Sequence, residues 1–249
     1  MRFFVCLSYN GERYSGWQKQ SNATGIQEVL EQAMTHALGR PIELTGAGRT
    51  DAGVSARGYM AHFDLDNAVK EPGSYLYKIN AILPSDIVAH FIAPVAPQAH
   101  ARFDATSRSY RYMVHTAKDP FAWHSLYCKF PLDIEAMNCA AALLLGRHDF
   151  SCFEKVGTDN KTSICTVSQA RWTATDGDHL QFDITADRFL RNMVRAIVGT
   201  LIDVGRGKVF AEDIPELLAS RDRSRAGQSV PGEPLTLCGI TYPYELLPL

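Results

Sequence analysis

The chain has 249 residues, enough for one large domain or two of ordinary size, and 46% of them are hydrophobic, enough to bury a core. Its formal net charge of −2 gives no whole-molecule pointer to a nucleic acid, so any phosphate contacts must come from a local basic patch. Polar residues interrupt the apolar opening Met1-Arg2-Phe3-Phe4-Val5-Cys6 too soon for a signal peptide or a membrane span, and the expectation is a soluble, cytoplasmic protein.

Residues 2–9 read as a strand that ends in a Tyr9-Asn10-Gly11 turn. Thr24 to Leu38 reads as an amphipathic helix: Thr24 and Gln27 form a capping-box pair, Ile26, Val29, Leu30, Ala33, Met34, Ala37 and Leu38 share one face, and Gly39 stands at the stop. After Pro41 a short strand leads into a Gly-rich loop from Gly46 to Gly53, and Tyr59, Ala61, Phe63 and Leu65 then alternate as a strand does. A helix around Ser74 to Ala81 and a strand from Ile87 to Ile92 complete a strand-helix-strand-strand-helix-strand series, the order of a split βαβ sandwich. In the second half a strand from Ser107 to His115 precedes a Pro- and aromatic-rich segment. A helix from Asp133 to Leu145 follows, closed by Gly146, then strands at Ile164–Ala174 and His179–Ala186 joined by an Asp176-Gly177-Asp178 turn. The last long helix is predicted over Arg188 to Val204, and a final strand near Leu237 to Tyr242. The fold class is therefore α+β, two similar sandwiches over mostly antiparallel sheet, with the halves at residues 1–105 and 106–249.

Cys6, Cys128, Cys139, Cys152, Cys165 and Cys238 include no CxxC pair, and the eight histidines no HxxxH or HExxH pattern. Reduced, mostly buried thiols and no preformed metal site are the expectation.

Three segments carry candidate chemistry. In Gly48-Arg49-Thr50-Asp51-Ala52-Gly53-Val54 the glycines allow a tight turn and close approach to a ligand while Arg49 and Asp51 project from one loop; an Asx-turn is the alternative reading. In the strand Arg108 to Val114 a two-residue period groups Tyr110 and Tyr112 with Arg108, as base-stacking surface or as ordinary packing. On the last helix Phe189, Leu190, Met193, Val194, Ile197 and Leu201 make an apolar arc, and Arg188, Arg191, Arg195 and Gly199 line the reverse. An all-arginine stripe suits bidentate contact with phosphate or carboxylate as well as plain solvation. Arg206, Lys208, Arg221, Arg223 and Arg225 extend the basic character.

Together these segments resemble the tRNA pseudouridine synthase A family over nearly the whole chain. The resemblance rests on Gly16-Trp17-Gln18-Lys19-Gln20, the GRTDAGVSA loop from Gly48, Asn80-Ala81-Ile82-Leu83-Pro84, His100-Ala101-Arg102-Phe103, the RSYRY strand from Arg108, FLRNMVRAIVG from Phe189, and Arg225-Ala226-Gly227. Departures are Ser55, where the family often has His, and Gly232-Glu233 in place of part of a Pro-Gly pattern before Leu235. The resemblance implies two RRM-like halves and a homodimer that isomerises uridine to pseudouridine in the tRNA anticodon stem-loop, at tRNA positions 38, 39 and 40, with neither metal nor organic cofactor. It further implies Asp51 as the essential carboxylate, Tyr110 stacked on the target base, Arg195 paired with Asp51, and Arg49 displacing the target nucleotide, with Arg188, Arg191 and Leu235 among the RNA contacts.

The chemistry suits these residue types. The bond from uracil nitrogen 1 to ribose breaks, the base turns, and carbon 5 rejoins the sugar, a redox-neutral change. An ionised carboxylate can attack the sugar or the base, or remove a ribose proton. A neighbouring guanidinium keeps that carboxylate charged and aimed, and a stacked nucleotide must first be extruded. Two rivals remain: an RNA-binding module without catalysis, which would not need Asp51, and a metal-dependent phosphohydrolase using Asp51 with Asp64 or Asp66.

Overall fold

A computed structural model describes residues 1–65, 72–158 and 160–247. In chain order the elements are β1 (Arg2–Tyr9), α1 (Ile26–Leu38), β2 (Thr45–Gly46), β3 (Ser55–Asp64), α2 (Pro72–Ile82), β4 (Ile87–Val95), β5 (Ser107–His115), β6 (Leu126–Tyr127), α3 (Ile134–Ala142), β7 (Gly146–Asp149), β8 (Ile164–Ala174), β9 (His179–Ala186), α4 (Met193–Gly205), α5 (Ile214–Ser220) and β10 (Leu235–Thr241). The α+β class expected from the sequence holds, with sheet that is mostly antiparallel. Two compact units divide the chain: Met1–Thr106 together with Leu237–Leu249, and Ser107–Thr236. The sequence reading left the tail with the second half. It packs instead with the first unit, because Tyr242 sets its ring edge-on to Phe4 and donates its hydroxyl to the Ala101 carbonyl, while the Tyr244 hydroxyl reaches Asp104.

In the first unit the strand order is β4-β1-β3-β10, with the short β2 also pairing β3. β1 is buried on both faces, Phe3, Val5 and Leu7 on one and Phe4 and Cys6 on the other. The Phe4 side is covered by Met60, Ala99 and Ala101 and by Tyr242 and Leu246 of the tail. Where β1 meets β3 the register slips between Leu7 and Tyr9, and Gly58 opposite takes φ +72°, a bulge that turns β3 just after the Asp51 loop. α1 ends on Gly39 at φ +68°, as the sequence reading has it. It starts later than expected, at Ile26 after Gly25, and without a capping box. The Gln27 amide instead donates to the Leu44 carbonyl and the Glu31 carboxylate.

The second unit orders its strands β5-β9-β8-β7, all antiparallel, and β6 runs parallel to β5. β5, β8 and β9 occupy the residues read from the sequence. α3 stops at Ala142, a turn short of the expectation, because Gly146 at φ +98° already begins β7. Both units close an exposed strand edge in the same way. Asn80 of α2 gives and takes a 2.8 Å hydrogen bond with the backbone of Ala89 in β4, and Asn138 of α3 does so with Trp172 in β8 at 3.1 and 2.8 Å. Each amide satisfies a backbone pair that an unpaired strand edge would leave open.

The largest departure concerns the last long helix. α4 begins at Met193, not Arg188, because Asn192 adopts a left-handed conformation, φ 67°, and breaks the turn. Arg188 and Arg191 therefore lie on the segment before the helix and do not form a stripe with Arg195. Gly199 is no gap in such a stripe either: a Cβ there would sit 1.9 Å from the Gln228 carbonyl oxygen, so its missing side chain admits the 227–230 loop.

Candidate active site

Asp51 sits in the first unit on the turn between β2 and β3, half-buried, with Arg49 exposed two residues before it. Between them Thr50 is buried and shares a 3.0 Å hydrogen bond with the hydroxyl of Tyr9. The Tyr59 hydroxyl donates to the Gly48 carbonyl, and its ring stacks on Trp17 at 4.2 Å and meets Tyr9 edge-on at 5.8 Å. Three aromatic rings thus form the floor of the loop. Its walls are backbone: Trp17 N–H donates to the Thr50 carbonyl at 3.3 Å and Gly53 N–H to the Tyr14 carbonyl at 3.2 Å, while Val54 N–H closes the turn on the Asp51 carbonyl. Such approach needs glycine. A Cβ on Gly16, φ +87°, would lie 2.1 Å from the Thr50 oxygen, and one on Gly11 2.0 Å from the Val54 oxygen.

The Tyr14 carbonyl is fixed in turn. Its hydroxyl donates to one oxygen of Asp86 at 2.9 Å and Arg13 takes the other, and burial, with Asp86 beside it, pushes the phenol up to about 12. Ser55, at the position where the resembled family often has His, accepts the Gly11 N–H at 3.0 Å. Trp17, whose part the sequence left open, is loop packing.

In the second unit Tyr110 and Tyr112 share a face of β5. Tyr112 is buried, its hydroxyl on the Pro231 carbonyl at 3.1 Å, and burial raises its pKa. Tyr110 is half-buried and meets Phe189 edge-on at 5.2 Å. On the opposite face Arg111 pairs with Asp183 across the ladder. Arg195 lies in the first turn of α4, where its Nε donates to the Val230 carbonyl at 2.7 Å and its own carbonyl accepts the Val230 N–H. Arg188 bonds the Thr162 carbonyl at 3.2 Å, Arg191 is exposed, and Leu235 is buried at the start of β10.

Asp64 does not join Asp51. It ends β3, paired bidentately with Arg2. Asp51 instead precedes the Ser55 end of that strand, roughly 20 Å or more away at about 3.3 Å per residue. A shared metal needs both within coordination distance. Asp66 lies outside the described residues, and among those described no three His, Cys, Asp or Glu side chains gather to hold an ion.

Reading along the chain missed the groups that hold the loop: Tyr9, Tyr14, Tyr59 and Asp86. Tyr59 was visible only as one member of an alternating strand, and the Tyr9-Asn10-Gly11 turn was the sole signal for the rest.

A family model described as tRNA pseudouridine synthase matches residues 5–104 and 140–243. A tRNA pseudouridine synthase A from Parabacteroides distasonis is 48% identical over 100% of this chain and 98% of its own. That of Porphyromonas gingivalis is 49% identical over 98% of each chain, and that of Acetivibrio thermocellus 41% over 96% of this chain and 98% of its own. Among solved structures an archaeal box H/ACA Nop10-Cbf5 complex aligns with 82% of this chain and 44% of that chain, at 12% identity and a TM-score of 0.39, too loose to bear on the argument. By full-length identity and by the family model, the chain belongs to the tRNA pseudouridine synthase family.

Proposed function

We propose that the protein performs its family's reaction, isomerisation of uridine to pseudouridine in tRNA, in the anticodon arm, with the Asp51 carboxylate as the reacting group. What carries the reading is the coincidence of the family match with a loop built to hold one carboxylate still. Asp51 lies between Thr50, bonded on both its hydroxyl and its carbonyl, and Gly53, bonded to Tyr14. A group held from both sides meets the positional demand of attack on, or proton removal from, an extruded nucleotide.

Other roles follow the chemistry. Arg49, exposed beside Asp51, fills the space that an extruded nucleotide leaves. Tyr110 offers a ring to stack the free uracil and a hydroxyl for the proton that leaves carbon 5. Arg195 keeps the Asp51 carboxylate charged and directed, and the Val230 carbonyl on its Nε supports a set guanidinium orientation. Arg188, Arg191 and Leu235 contact RNA. A homodimer working in the cytoplasm completes the reading; sedimentation equilibrium tests the first of these.

The two-fold RRM-like description also belongs to this reading. It is supported in the first unit by the β-α-β-β-α-β order with sheet neighbours β4-β1-β3-β2, and in the second by β5-α3-β8-β9-α4 with β5-β9-β8 adjacent.

The experiment is tritium release from tRNA labelled at carbon 5 of uridine, comparing the parent with Asp51→Asn after both are shown to be folded. Release by the parent and none by Asp51→Asn is the expected result. Equal release by both would remove Asp51 from the chemistry, and binding of tRNA with no release by either would favour a binding module.

A further inference from the structure

The second unit carries an open cleft of about 640 Å³ between the Ser151–Thr158 loop and residues 221–224. Lys155, Arg221 and Arg223 bring three positive charges to its wall, and Val156 is its one large apolar side chain. The two acids there are occupied by their own loops. Glu154 accepts from Asn160 and from Ser163 Oγ at 2.7 Å, and Asp222 accepts the N–H and the hydroxyl of Ser224, both at 2.8 Å. The cations are less engaged. Among the described residues the Lys155 ammonium has no hydrogen bond or ion pair, and the Arg221 side chain, though its Nε meets Asp149 at 3.0 Å, is 68% exposed.

Arg221 is also strained. It and Asn192 are the two non-glycine residues with positive φ among those described, Arg221 at 52°. An arginine kept where glycine fits better costs about 1 kcal/mol, and such strain directs attention to what the side chain does. Both walls of the cleft run into the arginine-bearing segment. Lys155 N–H bonds the Arg191 carbonyl at 3.0 Å, and Ser229 Oγ joins Arg223 at 2.8 Å to Asn192 at 2.6 Å.

We propose that this cleft holds a phosphodiester of the RNA substrate, with Lys155 and Arg221 on its oxygens; the proposal rests on the tRNA-modifying reading above. The wall suits that ligand. It offers cations with donors to spare and no aromatic ring, which suits a phosphate better than a stacked base. An arginine and a lysine together supply a planar fork and a mobile point charge to one anion.

The test is the salt dependence of tRNA affinity for the parent, Lys155→Gln, Arg221→Gly and the double variant. Each lost phosphate contact lowers the slope of log K against log salt by about 0.7 to 0.9. The double variant gives up that one phosphate and is therefore expected to lose about 0.7 to 0.9 in slope and to bind roughly 5- to 8-fold more weakly at about 0.1 M monovalent salt. Arg221→Gly relieves the strained backbone, so it should melt no lower than the parent while binding more weakly, which separates contact from folding. A double variant with the parent's slope and affinity overturns the proposal. So does one that loses only a stabilisation of the parent by inorganic phosphate, since the cleft would then hold a free anion. A parent that neither binds tRNA nor releases tritium would instead sink the underlying functional reading.

Discussion

Replacing Gly16 by Ala asks how far the position of Asp51 depends on a contact with no side chain in it. The new Cβ would stand 2.1 Å from the Thr50 carbonyl oxygen and 3.0 Å from the Asp51 carbonyl carbon, whereas ordinary contact begins at 3.4 Å. The Thr50–Asp51 backbone must retreat by about 1 Å, and the 3.3 Å bond from Trp17 N–H is lost with it. Left-handed strain of about 1 kcal/mol for Ala at φ +87° adds to an overpacking cost of about 1 to 3 kcal/mol, for a total loss of roughly 2 to 4 kcal/mol. Displacement of a reacting group by about 1 Å costs on the order of 100-fold in turnover. Gly39→Ala is the control: it bears the same backbone strain at φ +68° with nothing within 4 Å, so it should lose about 1 kcal/mol and no activity. The assay is single-turnover tritium release at saturating enzyme, with stability from urea denaturation. A folded Gly16→Ala protein that turns over within about twofold of the parent would refute the reasoning.

Further outcomes follow from other contacts. Arg195→Met should slow turnover far more than it weakens tRNA binding, read as kcat against Kd; equal losses would make Arg195 an RNA contact only. Asn192→Ala, which gives up both tolerance of φ 67° and the 2.6 Å bond to Ser229, should cost about 1 to 2 kcal/mol, and Asn192→Gly about half that. Equal stability of the two variants by urea denaturation would contradict the backbone argument. His62 is buried, accepts the Ala101 N–H at 3.1 Å, and is pushed down from 6.5 to about 4, chiefly by burial and then by the nearby charge of Arg2. Its folded pKa lies below its unfolded one, so its contribution is complete above pH 6.5 and drains away as pH falls toward 4. Between about pH 8 and 5 the parent should therefore lose about 2 kcal/mol more than His62→Asn; matching pH profiles would show that His62 titrates normally.

Much of the fold was legible because local periodicity decides it. β1, β5, β8 and β9 lie where alternation or short apolar runs bounded by turn residues put them, and Gly39 ends α1 as a left-handed cap. The misses arise where a distant partner overrides the local signal. Thr24 and Gln27 have the spacing of a capping box, but the Leu44 carbonyl and Glu31 claim the Gln27 amide. Arg188 to Val204 has a helical period, but a left-handed Asn192, tied to Ser229 thirty-seven residues on, starts the helix five residues late. The Gly-rich loop with Asp51 was readable from its composition alone. What holds it was not, since Gly11, Gly16, Tyr14 and Tyr59 act through contacts that no spacing encodes.

The pinning of that loop also has an entropic side. Ordering a free backbone segment costs about 1 to 2 kcal/mol per residue, so a loose loop from Arg49 to Gly53 would set on the order of 5 to 10 kcal/mol against each encounter with RNA. Here the cost is met when the chain folds, through Tyr9, Tyr14, Trp17 and Tyr59. The interaction energy of an arriving nucleic acid is then left for the one deformation the chemistry cannot avoid, pulling a nucleotide out of its stack.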